Sequence, residues 1–175
     1  QTAKCLMFNL SSTMIKVLME IDANDEFLTG DDPIRQLFEC QTVYEMKDKM
    51  KNLFLDICKY VESKKQSHNI NLKNQIEQYI LENYHDSNIS VTSISDAFNM
   101  NALYLSRFFK EQSGQSMTDF INKVRIEKAK MLLRSTQDSL EVIASMIGFT
   151  NAVTFIRVFK KYEGITPGKY RETFG

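Results

Sequence analysis

The sequence predicts an all-α chain in which two helix-turn-helix subdomains are joined by a long helix and preceded by a small helical segment. Three observations carry that prediction. Apolar residues recur at spacings of three and four over long stretches, with almost no period-two alternation. Proline occurs only at Pro33 and Pro167, so little interrupts a helix. A mixed apolar and basic pattern appears twice, about fifty residues apart.

With 175 residues, 43% of them hydrophobic and 25% charged, the chain has the composition of a globular protein able to bury a core, and disorder is not expected. The 22 basic and 22 acidic side chains cancel, yet they are not evenly spread: residues 1–70 hold 9 basic and 11 acidic, the remainder 13 and 11. That asymmetry is too small to name a partner. Cys5, Cys40 and Cys58 form no C-x-x-C pair and have no histidine-rich surroundings, so reduced thiols in a cytoplasmic protein are expected rather than a zinc site. No apolar run approaches the ~18 residues of a membrane span, and Gln1 to Lys4 does not look like the start of a signal peptide, so no membrane contact is expected. Because the chain does not begin with methionine, it is expected to be part of something longer.

The first helix expected runs from Leu6 to Ile21, where Leu6, Leu10, Met14, Val17, Leu18 and Ile21 form an apolar stripe. Asp32 followed by Pro33 is an N-cap and N1 pair for a short helix through Glu39. Thr42 opens a longer one, in which Val43, Met46, Met50, Leu53, Ile57 and Tyr60 are spaced 3-4-3-4-3, with Phe54 and Val61 widening the seam. Fewer than three heptads leave two readings open: a dimer contact over residues 42–61, or a helix packed in its own small bundle. Ser63 to Asn71 is polar and aperiodic, a candidate linker that sets a boundary near residue 70. A further helix is expected from about Leu72 to Tyr84, with Leu72, Ile76, Tyr79 and Ile80 on one face and His85 at its end.

The repeat follows. Leu105 to Lys110 superimposes on Phe155 to Lys160 at an offset of 50, and the match continues through Gly114 with Gly164 and Phe120 with Tyr170. Upstream, Ile94 and Met100 match Ile143 and Phe149 at 49, so the second turn holds one added residue. Each copy reads as a short capped helix (Ser90 or Ser139), a turn (Asn99, which tolerates the left-handed conformation, or Gly148) and a second helix stopped by Gly114 or Gly164. The two units are expected at about 90–112 and 139–162. Such a unit presents its second helix to the major groove of DNA. Between them, residues 116–134 form one helical pattern of roughly 28 Å at ~1.5 Å per residue. Major-groove faces on one side of B-DNA lie ~34 Å apart, so that strut suits two grooves without a dimer. An enzyme would need a constellation that is missing: there is no phosphate-binding glycine loop and no His-Glu-x-x-His, and no cofactor or metal is expected.

The segment from about Ile76 to Phe174 resembles the DNA-binding domain of the AraC/XylS family of bacterial transcription regulators. Tyr104 to Glu111, Gly114, Phe120, Arg125 to Leu133, Ile143 with Ala144, Gly148 with Phe149, Phe155 to Tyr162, Gly164 to Pro167 and Tyr170 with Arg171 carry the resemblance, in order and with the family's spacing. It implies that double-stranded DNA is read by Asn101, Ala102, Leu103, Ser106 and Arg107 in copy one, and by Thr150, Asn151, Ala152, Val153, Ile156 and Arg157 in copy two. Arg107 and Arg157 have the fork to pair with guanine or grip a phosphate; the other reading of each is a salt bridge within the domain. Lys110, Lys160 and Lys161 are expected to hold phosphates. Copy two departs from many relatives in presenting Ala152, Val153 and Ile156 where polar residues are common, so copy one and Arg157 should supply most direct readout. RNA polymerase is a further candidate partner. Residues 1–70 resemble more loosely the helical segment ahead of this domain in YesN-like response regulators and membrane-anchored sensors of the same family, which places the signal input upstream of Gln1. The competing reading of the whole is a helical dimerisation and signal-relay module whose DNA binding is secondary.

Overall fold

The computed structural model describes residues 5–10, 12, 13, 16, 36, 37 and 39–175. Half of the expected Leu6 to Ile21 helix, and the Asp32 with Pro33 helix start, lie outside the described residues; residues 6–10, 12, 13 and 16 of it are helical. Among the described residues every regular element is helical, and none of the helices is long and apolar enough to cross a membrane. In chain order the long elements are α1 (Val43–Asn83), α2 (Val91–Ala97), α3 (Ala102–Ser113), α4 (Met117–Ser135), α5 (Leu140–Met146), α6 (Ala152–Glu163) and α7 (Pro167–Phe174). The chain divides into two compact units, Gln1–His68 and Asn69–Gly175.

That division falls inside α1, and residues 63–71 are helical rather than an irregular linker. The physical reason is the lack of any breaker: no glycine or proline occurs between Pro33 and Gly114, and Ser, Gln, His and Asn each weaken a helix interior by well under ~1 kcal/mol. A polar, aperiodic stretch lacks a buried face; it need not lack a helix.

In the first unit Thr42 caps α1, its hydroxyl accepting from the Glu45 amide at 3.1 Å. Met46 is buried in a cluster with Leu37 and Cys40, and Met7, Phe8, Met50 and Leu53 pack on it. Met46, Met50 and Leu53 of the 3-4-3-4-3 seam thus face a local core, while Val43, Phe54 and Leu55 are exposed.

The second unit is built around α4, which serves two cores. Its first half gives Met117 and Ile121 to a core completed by Leu72, Ile76 and Ile80 of α1, Ile94 of α2, and Leu105, Phe108 and Phe109 of α3. Its second half gives Ile126, Ala129 and Leu133 to a core completed by Ile143, Ala144, Ile147, Phe149, Phe155, Phe159 and Tyr170. Each is the product of a 3-4 apolar spacing meeting others across short turns. The repeat is preserved down to ring contacts: Phe109 meets Phe120 edge-on at 5.6 Å, and Phe159 meets Tyr170 in the same way at 5.4 Å.

Candidate nucleic-acid interface

Both second helices are placed by the same local chemistry. In copy one the side chain of Ser90 caps α2, Asn99 adopts φ 50°, and the Met100 amide donates to the Ser95 carbonyl at 2.9 Å. In copy two Ser139 caps α5, Gly148 adopts φ 85°, and the Phe149 amide donates to the Ala144 carbonyl at 2.8 Å. The two left-handed residues lie 49 apart, whereas the caps of the second helices, Asn101 and Asn151, lie 50 apart. Thr150 is therefore the added residue of the second turn. Gly114 and Gly164, at φ 74° and 78°, end α3 and α6.

The faces that α3 and α6 turn to solvent correspond position by position. Leu103, Arg107 and Lys110 are exposed with Ser106 half-buried; Val153, Arg157 and Lys160 are exposed with Ile156 half-buried. These are positions i, i+3, i+4 and i+7, one side of a helix. Neither Arg107, Arg157, Lys110 nor Lys160 makes an ion pair or side-chain hydrogen bond among the described residues. The salt-bridge reading of the two arginines finds no partner here. Four exposed cations without an ion-pair partner among the described residues suit an external anion.

The remaining expected readers are more committed. The Asn101 side-chain oxygen accepts from the Leu103 and Tyr104 amides at 2.9 and 3.2 Å, and that of Asn151 from the Thr154 amide at 2.8 Å, so both asparagines serve as caps. Thr150 is exposed and bonded to the Asn151 amide group at 3.3 Å, Ala102 is half-buried, and Ala152 packs on the second core. Lys161, one turn after Arg157, lies 3.9 Å from Asp119 and over the ring of Tyr162.

Two features escaped the sequence reading. Tyr104 is exposed three residues before Arg107 and stacks on Phe108 at 6.2 Å, adding an aromatic edge to the copy-one face; its i, i+3 relation to Arg107 was the available signal. Arg125, in the middle of α4, is 8% exposed. Its Nε donates to the Tyr84 carbonyl and its Nη2 to the Asp86 carbonyl, both at 2.9 Å, and its guanidinium lies 5.2 Å from the Phe149 ring centre. Burial pushes its pKa below the ordinary value, opposed by the charge of Asp86.

At the other end of α6 Tyr162 donates to Asp119 Oδ1 at 2.9 Å, and Ser116 donates to Oδ2 at 2.6 Å. The Ser116 and then the Tyr162 hydrogen bond hold the Asp119 carboxyl below its ordinary value of 3.8; burial, then the bond to Asp119, pushes the Tyr162 phenol up to about 12. A depressed carboxyl contributes stability above its unfolded pKa that is lost as pH falls through the folded value. A raised phenol contributes stability below its unfolded pKa, near 10.0, that is lost as pH climbs through about 12. The clasp is thus at full strength between roughly pH 4 and 10. Melting Asp119→Asn beside the wild type across pH should show a shallower acid limb in the variant; parallel limbs would remove Asp119 from the account.

A helix-turn-helix domain family matches residues 94–173. The HTH-type transcriptional regulator YtdP of Bacillus subtilis is 32% identical over 138 residues, which is 78% of this chain and 18% of that protein. The arabinose operon regulatory protein of Escherichia coli is 33% identical over 94 residues, 54% of this chain and 32% of that protein. Among solved structures, the C-terminal domain of the two-component response regulator yesN from Fusobacterium nucleatum is 39% identical, with a TM-score of 0.57, covering 58% of this chain and 98% of that one. The chain therefore spans a fifth to a third of those two full-length relatives.

Proposed function

The chain belongs to the AraC-type helix-turn-helix family of transcription regulators, and from that premise we propose that its second unit reads a specific double-stranded DNA site with α3 and α6 in successive major grooves. The observation that carries this reading is the duplicated solvent face, with an arginine and a lysine at the same two positions of each copy that make no ion pair among the described residues. The α4 strut between them has 19 residues, roughly 28 Å at ~1.5 Å each, against ~34 Å between groove faces. Leu103, Ser106 and Arg107 supply base contacts from copy one and Val153, Ile156 and Arg157 from copy two. Lys110 and Lys160 with the helix N-termini hold phosphates, and Lys161 joins them only by leaving Asp119. The exposed Phe54 and Leu55 favour a second copy docking on residues 42–61. A contact with RNA polymerase is the step by which such a reader would act on transcription.

Selection of bound duplexes from random DNA, repeated across salt concentrations, tests the reading. The expected consensus has two parts spread over about two helical turns, and Lys110→Ala should lower the salt slope by about one without changing the consensus. Affinity that falls with salt while no motif is enriched would overturn it.

A further inference from the structure

A helix shared by two cores leaves one freedom unspecified. Each subdomain packs on its own half of α4, so their mutual rotation about that helix is fixed only by contacts that cross between them away from its axis. The structure has such contacts at both ends of α6. At the turn end, Arg125 joins the carbonyls of Tyr84 and Asp86, which follow α1 on the first subdomain, to the ring of Phe149 in the second turn. Gly148 lies so close to the same place that a Cβ there would come within 2.5 Å of the Tyr84 carbonyl oxygen. At the far end Tyr162 is tied to Asp119 in the first turn of α4.

We propose that Arg125 is a positioning residue that sets the distance the protein accepts between the two halves of its DNA site. The proposal rests on the two-groove reading above and adds to it a residue that touches no DNA. The guanidinium suits the task because it is a planar fork: two donors reach two carbonyls while the flat face lies against a ring. An ammonium in its place keeps the charge but loses the fork and the stack. One base pair more or less between half-sites moves the second groove by ~3.4 Å and about a tenth of a turn, more than a braced second helix can follow.

The test measures affinity of the full chain for three duplexes: the selected site, and the same site with one base pair added or removed between its halves. Wild type should lose about tenfold or more on either altered duplex. Arg125→Lys should narrow that loss to about threefold or less while base preference inside each half stays as it was, a split that mere loss of folded protein does not produce. Phe149→Leu, which removes the ring and keeps an apolar side chain, should narrow it as well and decides the matter if Arg125→Lys does not fold. Folded variants that keep the wild-type discrimination overturn the proposal, and so does a wild type indifferent to spacing. Failure to enrich any two-part site counts instead against the DNA reading, so the two failures are distinguishable.

Discussion

Gly148→Ala is expected to cost the fold about 2–6 kcal/mol, roughly twice the cost of Gly114→Ala. Both glycines have left-handed backbones, at φ 85° and 74°. Holding a non-glycine residue there costs of order 1–3 kcal/mol at either site. The surroundings separate them. A Cβ at position 148 would meet the Tyr84 carbonyl oxygen at 2.5 Å, Arg125 Nη2 at 2.8 Å and the His85 carbonyl carbon at 2.9 Å, whereas position 114 has nothing within 4 Å. Two of those neighbours are backbone and the third is a guanidinium held by two hydrogen bonds, so relief requires the second turn to move off the first subdomain. Overpacking of this kind adds about 1–3 kcal/mol. Urea denaturation of the full chain, followed by circular dichroism, should place Gly148→Ala far below Gly114→Ala; equal midpoints would mean that the turn does not dock where the structure puts it.

Arg107→Ala is expected to weaken the selected site by about tenfold or more, corresponding to the 1–3 kcal/mol of a bidentate base contact, and to relax preference at the bases it reads. Stability should hardly change, because among the described residues Arg107 has no ion-pair or side-chain hydrogen-bond partner whose bond would be left unmade. Val153→Ala removes only apolar contact and should cost a few-fold at most. The ranking follows from the asymmetry between copies. The face of α3 offers Ser106, Arg107 and the hydroxyl of Tyr104, while that of α6 offers Val153 and Ile156 beside Arg157. Binding-site selection with each variant checks it: a larger loss of preference in Val153→Ala than in Arg107→Ala would overturn the assignment of readout to copy one.

What the sequence disclosed, and what it hid, divides by the range of the interaction. Ser90, Asn99, Ser139, Gly148 and the stops at Gly114 and Gly164 act on backbone within a few residues, so their roles are written in local spacing. The repeat was legible because duplication preserves order, and it located even the extra residue, which the structure identifies as Thr150. Arg125 and the carbonyls it holds are 39 and 41 residues apart, and Tyr162 is 43 from Asp119. No periodicity connects such residues, and a basic side chain on a helix reads as a surface residue until its surroundings are known. The same limit applied to residues 63–71: polarity revealed the missing core, while the helix there depends on the absence of anything to stop it. Among the proposed readers, Asn101 and Asn151 stand at the helix starts, and spacing alone does not tell that their oxygens are occupied by capping.

The unlike faces of α3 and α6 have one more consequence. Two identical reading helices related by a two-fold axis treat a site and its reversal alike, as symmetric dimers do on palindromes. Here Ser106 answers to Ile156, Tyr104 to Thr154 and Leu103 to Val153, and the order of the two helices along the strut cannot be exchanged. A single copy therefore has a head and a tail. On the proposed two-groove reading, its address on DNA is an arrow.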